Sequence, residues 1–123
     1  MDNNSNKNDN SIEALQEALI QFADARDWAQ FHSPKNLSMA LTVEAGELME
    51  HFQWLTEDAS KSPNPELREK IEQEIADVFM YTLLLAKRLN IDILQACKTK
   101  MEINEKRYPA DVVRGSAKKH NEY

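Results

Sequence analysis

Glu44 and Glu47 stand three residues apart in the stretch LTVEAGELMEHFQW (residues 41–54), and Glu74 and Asp77 repeat that spacing further along the chain. On a helix, this spacing puts both members of a pair on one face, one turn apart. Glu44 lies three residues after Leu41 and four before Leu48; Glu74 lies three after Ile71 and four before Val78. Each pair therefore starts inside an apolar stripe. A single acidic pair is ordinary decoration of a solvated helix. Two pairs on successive helices are not, because like charges at this spacing cost roughly a few tenths of a kcal/mol when exposed and more when partly buried. A cation joining them removes that cost. Four carboxylates without thiolate or imidazole form a hard oxygen site, suited to Mg²⁺ or Mn²⁺ rather than zinc. Magnesium held by a few carboxylates usually serves bound phosphates. A di-iron bundle is excluded, since it needs Glu-x-x-His and His51 is preceded at that step by Leu48.

These carboxylates need helices to hold them, and the sequence supplies four. Ile12, Leu15, Leu19 and Phe22 recur at three- and four-residue steps, with Asn10 as the expected cap and Glu13 at the third helical position. A second helix is predicted from about residue 36 to 55, carrying Leu37, Leu41, Leu48 and Phe52, after a break at Pro34. Asn64 caps a third that has Pro65 as its first residue and the stripe Leu67, Ile71, Ile75, Val78, Thr82, Leu85 and Leu89. The fourth starts at Asp92, places Leu94, Cys97 and Met101 in the core, and stops before Pro109. No segment sustains the alternation of a strand. The expectation is an all-α, four-helix bundle-like domain over residues 11–109, between a disordered tail (1–10) and a loose tail (110–123). Gly46 costs a helix interior about 1 kcal/mol relative to alanine; it serves either close approach of backbone or ligand, or tight helix packing.

The 123 residues suit one domain, and the net charge of −6 speaks against a general nucleic-acid binder. An acidic protein that handles phosphates needs metal ions or a local basic patch. Lys100, Asn104 and Arg107 provide one, at i, i+4 and i+7 of the fourth helix. No apolar run reaches the ~20 residues of a membrane span. Cys97, the sole cysteine, fits a reducing, cytoplasmic setting.

The blocks RDWAQFHSPKNL, EAGELMEHFQW, EIADVFMYTLLLAKR and KMEINEKRYP, in that order around the carboxylates, resemble the all-α nucleoside triphosphate pyrophosphohydrolases of the MazG-like superfamily. The dCTP pyrophosphatase branch is the nearest in pattern. That resemblance implies cleavage between the α- and β-phosphates, giving a monophosphate and pyrophosphate. It implies Glu44, Glu47, Glu74 and Asp77 as magnesium ligands, with Glu47 favoured over Glu44 as the base that activates water. Lys100, Asn104 and Arg107 become polyphosphate contacts. Trp28, His32, Trp54 and Tyr81 become nucleoside contacts, since aromatic faces stack on bases. The family also forms homodimers and homotetramers. The alternative is a helical regulatory or oligomerisation module that binds nucleotides without hydrolysing them.

Overall fold

Ser11 opens the first helix. Its hydroxyl accepts a hydrogen bond from the Ala14 N–H at 3.0 Å, and α1 runs over Ile12–Asp24. This replaces the expected Asn10 cap: the helix begins one position later, Glu13 becomes its second residue, and the capping-box spacing is lost. The computed structural model describes residues 11–122, so the expected N-terminal tail lies outside the described residues. After α1 the chain turns at Asp27, whose φ of 54° is left-handed, and enters a 3-10 turn, Ala29–Phe31.

The second helix, α2, spans Pro34–Glu50, longer at its start and shorter at its end than the sequence suggested. Pro34 is not a break but the first helical residue, a position where its missing N–H costs nothing. Ser33 caps it, accepting from the Asn36 N–H at 3.1 Å. Beyond Glu50 the hydrogen bonds tighten to three-residue steps, His51 N–H to Leu48 and Phe52 N–H to Met49, and the chain leaves the helix before Trp54. A short helix α3 (Glu57–Ser60), capped by Thr56, leads to α4 (Pro65–Arg88). Here the sequence reading holds: the Asn64 side chain accepts from the Leu67 N–H at 2.8 Å and Pro65 comes first in the helix. Asn90, at φ 57°, ends the unit.

Within this unit α2 packs against α4, α1 packs on α4, and the 3-10 turn rests on α1. The core is Ala23, Leu37, Ile71, Leu83 and Ala86, with Leu37 and Leu83 almost fully enclosed. Gln16 is buried among them and donates from Nε2 to the Leu83 carbonyl at 3.0 Å, tying α1 to α4. The expected α4 stripe is only partly inside. Ile71 is buried, but Ile75 and Leu89 are about half exposed, because α1 and α2 cover only part of the circumference of α4.

The second unit begins at Ile91 and carries α5 (Ile93–Arg107), where the Asp92 side chain accepts from the Gln95 N–H as expected. Short turns follow, α6 (Ala110–Val113) and His120–Glu122. Leu94, Cys97 and Met101, expected in the core, are exposed. Among the described residues there is no strand, and no helix is long and apolar enough to cross a membrane. The all-α fold class is as the sequence indicated.

A Cβ built on Gly46 meets nothing within 4 Å among the described residues, so tight packing against them is not the reason for the glycine. Gly46→Ala is expected to raise stability by about 0.5–1 kcal/mol, the usual helix gain. Chemical denaturation checks this; a loss of stability instead would mean that something outside this chain packs against that position.

Candidate active site

The antiparallel packing of α2 on α4 brings Glu44 from one helix to Glu74 and Asp77 on the other. One carboxylate oxygen from each lies within 4.8 Å of the other two, and all three side chains are half-buried. Glu44 Oε2 and Glu74 Oε2 are buried without a hydrogen-bond partner among the described residues. A buried carboxylate oxygen left in that state is costly. Hard oxygens, converging and unsatisfied, are the donor set of a divalent cation such as Mg²⁺ or Mn²⁺, so these residues fit the ion that the sequence pointed to.

The electrostatics of the metal-free site follow from the same crowding. Glu44 is pushed up to about 7, first by burial, then by the Glu47 and Glu74 carboxyls with which it can share a proton, then by the charges of Glu47 and Asp77. Tyr81, one turn beyond Asp77, is raised as well, chiefly by burial and further by Glu44 and Asp77. Its phenol thus faces the cluster from α4. Glu47 is exposed, beside Glu44 and outside the group of three.

The other sequence-derived residues fall on separate elements. Trp28 and His32 lie before the start of α2, and Trp54 lies beyond its end, 88% exposed in the turn. Trp28 meets the Phe22 ring edge-on at 5.7 Å between centroids, and the Arg26 guanidinium lies 3.6 Å over Phe22. His32 borders a cavity of about 220 Å³ together with Asp24, Lys87 and Arg88. In the second unit Lys100, Asn104 and Arg107 are exposed along α5.

Two further residues, one beside His32 and one beside Glu74, went unassigned from sequence. Arg88 donates to the carbonyls of Ala29 (2.8 Å) and His32 (2.9 Å), fastening the Trp28–His32 segment to the end of α4. Its only sequence signal is a basic residue in a last helical turn. His51 Nε2 lies 3.9 Å from Glu74 Oε1. Its seven-residue separation from Glu44, two helical turns, was the available hint.

Residues 39–122 match the model of the MazG-like family, a stretch that contains all four acidic positions. The chain belongs to the MazG-like family. Human dCTP pyrophosphatase 1 is 42% identical over 115 residues, which cover 91% of this MazG-like chain and 67% of the human protein. The mouse dCTP pyrophosphatase 1 is 41% identical over 114 residues. A pyrophosphatase from Archaeoglobus fulgidus, solved by crystallography, superposes with a TM-score of 0.71 at 40% identity, covering 80% of this chain and 92% of its own.

The raised Glu44 carboxyl gives the metal-free protein a pH dependence of definite sign. Between the unfolded value of 4.5 and about 7 the folded chain holds a proton that the unfolded chain has lost. This contribution to stability is complete below pH 4.5 and fades as pH rises to about 7. In chelator, the melting temperature of wild type should therefore fall over that range more steeply than that of Glu44→Gln. Parallel curves for the two proteins would show that Glu44 titrates normally.

Proposed function

We propose that this chain is a Mg²⁺-dependent nucleoside triphosphate pyrophosphohydrolase that splits the α–β phosphate bond to give a monophosphate and pyrophosphate. Its substrate is dCTP or a modified cytosine nucleotide, and it acts on the cytoplasmic nucleotide pool. The observation that carries this is the convergence of Glu44, Glu74 and Asp77 with two buried, unpartnered oxygens. Membership of a family whose curated relatives are named dCTP pyrophosphatases supports the reaction and the base.

Glu44, Glu74 and Asp77 would hold the cation, which when bound neutralises the polyphosphate and polarises phosphorus. Glu47 is the proposed base. Exposed next to the cluster, it is open to water and can take the proton as water attacks phosphorus and the bond to the leaving pyrophosphate breaks. Tyr81 offers a hydroxyl from the same face, kept protonated by its raised pKa. Trp28, His32 and Trp54 are proposed nucleoside contacts. The cationic α5 face of Lys100, Asn104 and Arg107 suits polyphosphate in its own right.

We further propose a homodimer or homotetramer. Met39, Val43 and Met49 on α2 and Ile75 and Phe79 on α4 are each 45–61% exposed, an unusual load of bare apolar side chains for two helices that also form the core. Sedimentation should then give a mass of two or four chains. A monomer at micromolar concentration would refute it.

Pyrophosphate release from a panel of nucleoside triphosphates, with and without Mg²⁺, tests the reaction. The expected result is metal-dependent release, fastest with cytosine deoxynucleotides. Glu47→Gln should lower turnover by at least ~100-fold with nucleotide binding still measurable. Binding without release by wild type would instead identify a regulatory module, and turnover of the variant within threefold of wild type would remove Glu47 as the base.

A further inference from the structure

Glu74 has two oxygens in different company. Oε2 is buried, unpartnered and part of the converging group, while Oε1 faces the imidazole Nε2 of His51 at 3.9 Å. Both side chains are about one-fifth exposed. Nothing intrinsic to a glutamate decides which oxygen points inward, because its terminal torsion is broad and two-fold. A donor fixed on one side removes that freedom.

His51 is suited to be this donor. It is the first residue beyond α2, held by its own N–H to the Leu48 and Met49 carbonyls, so its backbone does not swing with the following turn. Its ring stands outside the group of three oxygen ligands. The gap of 3.9 Å is about 1 Å beyond a hydrogen bond and closes with a small rotation of either side chain. Lysine or arginine in its place would bring a permanent charge that opposes a divalent cation on the same carboxylate. A neutral imidazole with hydrogen on Nε2 donates without that opposition.

We propose that His51 is a positioning residue for Glu74, donating to Oε1 and so holding Oε2 toward Glu44 and Asp77, which sets the affinity of the site for its cation. Hydrogen bonds to ligating carboxylates commonly have this effect, and losing one typically weakens metal binding about 10- to 100-fold. His51 acts in this way only if the three carboxylates hold a cation, so the proposal rests on the function proposed above.

The test is titration of the full-length protein with Mn²⁺ alone, free ion being read by electron paramagnetic resonance, for wild type, His51→Leu, His51→Gln and Glu74→Gln. Glutamine places an amide donor close to where the ring nitrogen was. The expected order is tight binding by wild type, about 10- to 100-fold weaker binding by His51→Leu, recovery of most of that loss by His51→Gln, and the largest loss for Glu74→Gln. Melting temperatures in chelator identify folded protein, and only the folded fraction is counted. Equal affinity for wild type and His51→Leu, with Glu74→Gln weakened, would overturn the positioning role and leave the cation site standing. No binding by wild type would overturn the cation site itself. A directly coordinated nitrogen in the pulsed spectrum of wild type, absent in His51→Gln, would also overturn the proposal by making His51 a ligand.

Discussion

Charge repulsion between α2 and α4 is the constraint around which this molecule is arranged. Three carboxylates with oxygens within 4.8 Å of one another repel, and at an effective dielectric near 20 each contact of about 4 Å costs on the order of a few kcal/mol. The same two helices must nevertheless stay together, because they supply Leu37, Ile71, Leu83 and Ala86, most of what the unit buries. Hydrophobic burial on one side of the helix pair thus holds apart-driving charges on the other. Glu44 relieves part of the strain by keeping a proton to about pH 7. A divalent ion bound among these carboxylates would displace that proton.

Much of this was legible in the sequence, and the parts that were not have common causes. Glu44 and Glu74 announced themselves by interrupting apolar stripes, and Asn64-Pro65 and Asp92 marked helix starts through local chemistry that needs no partner. Pro34 misled because the same residue that breaks a helix interior is welcome at its first position; the deciding signal was Ser33, one residue earlier. Trp54 was placed on a helix that in fact ends at Glu50, since the tightening of the last turn leaves no mark in a pattern of apolar residues. His51 was weighed only as an iron ligand. Its spacing puts it on the Glu44 side of α2, but its approach to Glu74 also depends on how two helices cross, which spacing along one chain does not give.

The partial exposure of Ile75, Phe79 and Met101 has a similar origin. Periodicity reports that a face is apolar, not what covers it. For α4, packed chiefly against α2 and α1, part of the stripe is left uncovered, so the stripe and the buried set do not coincide.

Arg88 has a consequence for how such a site can change over time. Its guanidinium grips the Ala29 and His32 carbonyls, and a carbonyl is the same in every residue. Side chains along that segment can therefore be exchanged without loosening the segment's hold on α4, the helix that carries Glu74 and Asp77. The anchorage reads only the main chain, which leaves the side chains of the segment free to change while its attachment to α4 stays in place. A segment fastened in this manner separates what its side chains are from where its backbone sits, so its surface can be altered by single substitutions rather than by rebuilding the scaffold.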